Sequence, residues 1–132
     1  FQTHSALAAT LYRQARTWLA DPGIHRVLDL YCGVGGFALH LAGPGREVVG
    51  VESSAQAVAG ARRAATEAGL AARFECADAT HWEHGPPVGF DAIVVNPPRR
   101  GLGAALCTDL EAAAPHWILY SSCAVDTLAA DL

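Results

Sequence analysis

Arg26-Val27-Leu28-Asp29-Leu30-Tyr31-Cys32-Gly33-Val34-Gly35-Gly36-Phe37 is the stretch that decides the fold. Its first six residues form an apolar run interrupted by one acid, the pattern of a strand buried on both faces. The run breaks at Gly33, Gly35 and Gly36, and an apolar segment from Phe37 to Ala42 follows at once. Strand, glycine turn and helix in that order open a parallel α/β unit. The glycines let the backbone of the turn come close to a ligand.

The same alternation extends outward. Upstream, Leu7, Ala8, Leu11, Ala15, Trp18 and Leu19 recur at helical spacing, and Asp21-Pro22-Gly23 stops that helix. Downstream, Glu47 to Val51 reads as a second strand. Ser53 or Ser54 caps a helix running to Ala68, with Gly69 as its stop. Ala72 to Cys76 is a third strand, and His81 to Gly89 a loop with two prolines and two glycines. Phe90 to Val95 is a fourth strand, ended by Asn96-Pro97-Pro98. Leu102 to Ala113 is a helix closed by Pro115, Trp117 to Ser121 a fifth strand, and Val125 to Leu132 the start of another helix. Such alternation predicts an α/β, Rossmann-like fold: a parallel sheet with helices on both faces, joined by right-handed crossovers. The sheet reads as truncated before its last strands.

Composition narrows the class. A chain of 132 residues suffices for one domain, and 52% hydrophobic with 17% charged residues places it among globular sequences rather than disordered ones. No apolar stretch approaches the roughly 20 residues of a membrane helix, and no signal peptide opens the chain. The sequence holds 0 Met. The expectation is an excerpt of a longer protein, with one partial domain over residues 1–132 and with an N-terminal region and a C-terminal end outside it. Cys32, Cys76, Cys107 and Cys123 form no Cys-x-x-Cys pair, which argues against zinc and for reduced thiols in the cytoplasm. A net charge of −4 argues against a large nucleic-acid footprint on this piece. RNA stays open as a substrate, because a further domain can carry the basic surface.

Candidate binding residues cluster where open parallel sheets hold ligands, at the C-terminal ends of neighbouring strands. Asp29 and the Gly33 and Gly35 turn belong to the first strand. Glu52 ends the second, where a carboxylate accepts both ribose hydroxyls of an adenosine. Asp78 follows the third, where an acid takes the adenine amino group. The segment Gly33 to Ala38 also fits the dinucleotide pattern G-x-G-x-x-A with Glu52 at the expected distance, so these residues alone do not separate NAD from S-adenosylmethionine. The rigid Asn96-Pro97-Pro98 turn does, since hydride transfer has no use for it. A blander reading of the glycines, a tight turn and nothing more, leaves Glu52 and Asp78 unexplained.

Methyltransferases acting on amino groups use a turn like Asn96-Pro97-Pro98 followed by Tyr or Phe. Here Arg99-Arg100-Gly101 follows, so the aromatic platform is missing. The two arginines read either as holders of RNA phosphate or as a solvated pair. Cys123 ends strand five beside a helix start, a placement suited to a lowered thiol pKa; a buried inert cysteine is the competing reading. Cys32, Cys76 and Cys107 read as structural. His81-Trp82-Glu83-His84 lacks a third ligand nearby and reads as a solvated loop, so no metal site is expected. Asp109 and Glu111 read as the solvated face of their helix.

Phe1-Gln2-Thr3, Asp29 to Gly35, Gly50-Val51-Glu52, Val95 to Gly101 and Tyr120-Ser121-Ser122-Cys123 together resemble the RNA uracil-5 methyltransferases. The resemblance spans nearly the whole chain and is closest to the bacterial branch that makes 5-methyluridine in 23S ribosomal RNA. The tRNA-modifying branch has Asn where Gly36 stands. The resemblance implies an S-adenosylmethionine-dependent RNA methyltransferase, with RNA as partner, rRNA ahead of tRNA. It implies that Gln2, Tyr31, Glu52 and Asn96 contact the cofactor and that Cys123 is the nucleophile. Members often carry Asp at the position of Asn96. They also have a catalytic Glu in a segment beyond Leu132, and many hold an iron–sulfur cluster through cysteines of an N-terminal region. Two other readings stay open: an amino-group methyltransferase using Asn96-Pro97-Pro98, and a cofactor-binding module without chemistry.

Overall fold

Five short apolar runs, each too short to bury itself, assemble edge to edge. The computed structural model describes residues 13–20, 23–78, 89–96, 115 and 117–120. The strands are β1 (Arg26–Leu30), β2 (Glu47–Glu52), β3 (Ala72–Cys76), β4 (Ala92–Val95) and β5 (Trp117–Tyr120). They form one parallel sheet in the order β3-β2-β1-β4-β5. The helices are α1, described over residues 13–18, α2 (Gly36–Leu41) and α3 (Ala55–Ala68). The order reverses at β1, so the crevice at its C-terminal end is the expected ligand position of such sheets.

The strand period sorts the core into two layers. Val27, Val48, Ala92 and Val94 point to one face, where Ala15 and Leu19 of the first helical segment, Phe37, Ala38 and Leu41 of α2, and Val58, Ala61 and Ala65 of α3 meet them. Leu28, Leu30, Val49, Val51, Ile93 and Val95 form the second cluster on the other face. Both faces of β1, β2 and β4 are therefore buried, which is why these strands read as continuous apolar runs. On the edge strand β3, Arg73 and Glu75 are exposed and only Phe74 is buried.

Boundaries differ from the sequence reading by a residue or two, for local reasons. β1 ends at Leu30 because Tyr31 takes a left-handed backbone, φ 57. β4 begins at Ala92, just after Asp91, whose N–H donates to Arg26 O at 2.8 Å and whose Oδ2 accepts the N–H groups of His25 at 2.8 Å and Arg26 at 2.9 Å. Phe90 instead lies under the Arg26 guanidinium, 4.4 Å from ring centroid to Cζ. Ser54 is the cap chosen for α3, its Oγ accepting from Ala57 N at 3.2 Å, and Gly69 closes that helix at φ 68. The helices read at Leu102–Ala113 and Val125–Leu132, the turns of the Leu7–Leu19 helix before residue 13, most of the His81–Gly89 loop, and Ser121 lie outside the described residues.

Arg46 joins three segments at the N-terminal end of the sheet. Its Nη2 donates to Leu19 O at 2.7 Å, Nε to Ile24 O at 3.1 Å and Nη1 to Leu41 O at 3.2 Å. Leu19 and Leu41 lie at the C-terminal ends of α1 and α2, where carbonyls lack helical partners and the helix dipole favours a cation. Arg46→Ala strands three carbonyls and should cost about 2 kcal/mol, the scale of hydrogen bonds to a charged group. Arg46→Lys should recover only part of this, since an ammonium does not match a planar fork. Urea denaturation of the three proteins checks it; an unchanged midpoint in Arg46→Ala contradicts it.

Candidate functional site

At the C-terminal end of the sheet the chain passes through three left-handed residues: Tyr31 at φ 57, Gly33 at φ 56 and Gly35 at φ 90. The strand pattern carries one residue further, with Cys32 N donating to Val51 O at 3.1 Å, and the turn closes with Gly35 N donating to Cys32 O at 2.9 Å. A Cβ at Gly33 would meet nothing within 4 Å. The Gly33 backbone thus borders open space, as a cradle for a ligand does. Gly35 is the N-cap of α2, and Leu39 N donates to its carbonyl at 2.8 Å.

Glu52 fixes this turn from the neighbouring strand. Oε1 accepts the Gly33 N–H at 3.1 Å, and Oε2 accepts the Ser54 N–H at 2.8 Å. Glu52 is half-buried. A carboxylate has about four lone-pair sites, so two bonds to backbone orient it and leave acceptor capacity on both oxygens. That matches a donor pair such as a vicinal diol.

Asp29 lies beneath the turn. Only 1% exposed, it accepts from Ala38 N through Oδ2 at 3.1 Å, while Oδ1 has no partner among the described residues. Burial pushes its pKa up to about 8, against the lowering effect of the Ala38 N–H. Cys32, buried beside it, has its thiol pushed up to about 12, first by burial and then by the charges of Asp29 and Glu52. A thiol so held is a packing group rather than a nucleophile. Cys76 is exposed, with Sγ 3.5 Å from Ser53 O.

The other expected site residues extend the row. Asp78 is exposed just past β3 and Asn96 is exposed just past β4, its N–H donating to Leu30 O at 3.4 Å. In sheet order the C-terminal ends therefore present Asp78, Glu52, the Tyr31–Gly35 turn and Asn96. Gln2, Cys123, Pro97 to Gly101 and His81 to His84 lie outside the described residues. Sequence reasoning gave no role to Ser54 as a partner of Glu52, nor to Gly50 and Phe74. Gly50 carried a signal, because a glycine inside an apolar strand marks a close approach. A Cβ there would lie 2.6 Å from Phe74 Cδ1.

The opposite end of the sheet holds a cavity of about 440 Å³ lined by Arg16, His25, His40 and Arg46 among others. Both arginines there donate to carbonyls at helix C-termini, Arg16 Nε reaching His40 O at 2.9 Å. Those carbonyls carry partial negative charge, so this end does not suit an anionic ligand. No helix among the described residues is long and apolar enough to cross a membrane.

Residues 27–100 match the family model described as a methyltransferase domain. The chain is 47% identical over its whole length to the 23S rRNA (uracil(747)-C(5))-methyltransferase RlmC of Pectobacterium carotovorum. It is 45% identical over its whole length to the RlmC of Yersinia pseudotuberculosis. The chain spans 35% of the length of each of these relatives. Among solved structures, the Pyrococcus abyssi tRNA (uracil-54, C5)-methyltransferase in complex with S-adenosyl-L-homocysteine superimposes with a TM-score of 0.84 at 34% identity, over 95% of this chain and 30% of that one.

The Asp29 geometry has a consequence for pH. A folded-state pKa of about 8 against an ordinary 3.8 means that the fold favours the proton. This contribution to stability is complete below about pH 4 and is lost as pH rises through about 8. Asp29→Asn removes the titration while keeping an oxygen for Ala38 N. The stability of the wild type should therefore fall relative to Asp29→Asn between these pH values, as urea midpoints at several pH values measure. Parallel curves contradict it.

Proposed function

We propose, from the premise that this chain belongs to the methyltransferase domain family, that it is the S-adenosylmethionine-binding part of an RNA uracil-C5 methyltransferase. The observation that carries this reading is the match of the whole chain, 47% identical, to a 23S rRNA uracil-C5 enzyme. Ribosomal RNA is the favoured substrate, since the tRNA enzyme is more distant at 34% identity. The chain is one segment, residues 1–132, of a cytoplasmic protein of the relatives' length.

The site fits the cofactor. Glu52 has acceptor capacity for the two ribose hydroxyls, with its oxygens already aimed by Gly33 and Ser54. The open side of Gly33 admits the nucleoside. Asp78 is exposed where the adenine amino group would lie, and Asn96 is exposed on the far side of the turn. Gln2 and Tyr31 complete the contacts that the resemblance implies. Asp29 is buried under the turn and acts on the ligand through it. S-adenosylmethionine supplies an electrophilic methyl group.

The protein's part is to make a poor nucleophile a good one. Carbon 5 of uracil does not attack a methylsulfonium unaided. The Cys123 thiolate adds to carbon 6, the carbon 5–carbon 6 double bond breaks, and carbon 5 gains enolate character. Carbon 5 takes the methyl group, and the electron pair of the broken sulfur–methyl bond stays on sulfur, leaving a neutral thioether. A carboxylate from the segment beyond Leu132 then removes the carbon 5 proton, the double bond re-forms and the thiolate leaves. The target base must leave its stack to reach the sulfur. Among the described cysteines, Cys32 is held too basic for this task.

RNA with 5-fluorouridine at the target tests the proposal in the full-length protein. Fluorine does not leave as a proton does, so addition and methylation should halt at a covalent complex stable to denaturant. Mass spectrometry should map the adduct to Cys123, and Cys123→Ala should give neither adduct nor product. An adduct at another residue, or full activity in Cys123→Ala, overturns the mechanism and favours amino-group methylation.

A further inference from the structure

Gly50 interrupts an otherwise apolar β2, and its neighbours in register are Asp29 on β1 and Phe74 on β3. All three lie on the face that carries α2 and α3. A Cβ at Gly50 would sit 2.6 Å from Phe74 Cδ1, 2.9 Å from Cε1 and 2.9 Å from Cys32 Sγ, closer than real Cβ atoms approach. The same ring continues to the turn: a Cβ at Gly35 would meet Phe74 Cζ at 3.0 Å and Cε1 at 3.1 Å, and Ala61 Cβ of α3 at 3.2 Å. The phenyl group therefore leans from the edge strand across the bare backbone of Gly50 and ends against Gly35. It is 4% exposed, and its carbonyl accepts two hydrogen bonds from Arg62 on α3, at 2.7 Å from Nη2 and 3.2 Å from Nε.

We propose that Phe74 is a positioning residue for the cofactor turn, its ring, passing over Gly50, holding Gly33 to Gly35 in the shape that receives the nucleoside. The inference rests on the reading that this turn binds S-adenosylmethionine. Gly35 sits at φ 90, and two residues before it Gly33 gives its N–H to Glu52. A turn with so few side chains of its own takes its shape from what packs beneath it. Phe74 supplies that surface on one side and Ala61 on another. The ring touches no ligand; it acts by keeping the binding-competent turn populated, and a lower population raises the apparent dissociation constant in proportion.

The test uses the full-length protein, calorimetric titration with S-adenosylhomocysteine and steady-state methylation of target RNA. Phe74→Leu should bind about tenfold more weakly, as expected when the competent turn falls to roughly a tenth of the population. It should raise KM for S-adenosylmethionine and leave kcat near the wild-type value. Arg62→Ala, at an exposed position, should weaken binding in the same direction by a smaller factor. Ile93→Val, in the cluster on the other face of the sheet, should lower the melting temperature without changing the affinity. Gly50→Ala should bind more weakly than Phe74→Leu, since its Cβ would also meet Cys32 Sγ of the turn at 2.9 Å, and the double variant should lose less affinity than the sum of the two, because both changes disturb one contact. Wild-type affinity in both Phe74→Leu and Arg62→Ala overturns the inference, and so do strictly additive effects of Gly50→Ala and Phe74→Leu. A wild-type protein that does not bind S-adenosylhomocysteine overturns the proposed function instead.

Discussion

A single carboxylate connects two segments at the C-terminal end of the sheet. Glu52 accepts the N–H of Gly33 from the turn after β1 and the N–H of Ser54 from the start of α3. Without it, the N–H groups of Gly33 and Ser54 would lose their acceptor, and the side-chain tie between β2 and β1 would be left to the opposite end of the strands, where Arg26 Nε donates to Glu47 Oε2 at 3.1 Å. With it, the turn is fixed and the carboxylate itself is oriented, since each oxygen is already aimed by one donor. Orientation of this kind lowers the ordering cost of binding, because the acceptors are in place before the ligand arrives. The strand order β3-β2-β1-β4-β5 puts this carboxylate beside the crevice where the winding reverses.

The two ends of the sheet are built on opposite electrostatics. At the C-terminal end, the Gly33 backbone and an acceptor-rich carboxylate face open space. At the N-terminal end, carbonyls of Leu19, Ile24 and Leu41 converge and are closed by the guanidinium of Arg46. One end leaves acceptor capacity facing open space and the other uses its polar groups on itself. The cavity of about 440 Å³ at the second end is lined by Arg16, which donates to His40 O, and by Arg46, which donates to the carbonyls of Leu19, Ile24 and Leu41.

Much of this was legible in the sequence, and the limits have physical causes. Strands buried on both faces announce themselves as apolar runs, so β1, β2 and β4 were readable, and Ala72 to Cys76 matched to the residue. Gly69 marked a helix stop because a left-handed residue there needs no Cβ. Glu52 was readable as an acid at the end of β2, yet its bond to Gly33 was not, because it depends on a crossover that brings residues 19 positions apart together. Asp29 read as a ligand contact, whereas burial to 1% exposure puts it under the turn; sequence gives the position of an acid along a strand but not its depth. Phe74 carried no reading of its own beyond its place in the Ala72–Cys76 strand. Its reach over Gly50 appears only once the register of β2 on β3 is known.

The central claim is that the Glu52 carboxylate and the Gly33 turn hold an adenosine moiety. The most direct measurement is a crystal structure of the protein soaked or grown with S-adenosylhomocysteine. The account predicts both ribose hydroxyls on the Glu52 carboxylate at about 2.5–3.0 Å, the range of O–H···O bonds, with the ribose over Gly33 and the adenine on the Asp78 side. Density for the ligand elsewhere, with Glu52 bound only to Gly33 and Ser54, would contradict it.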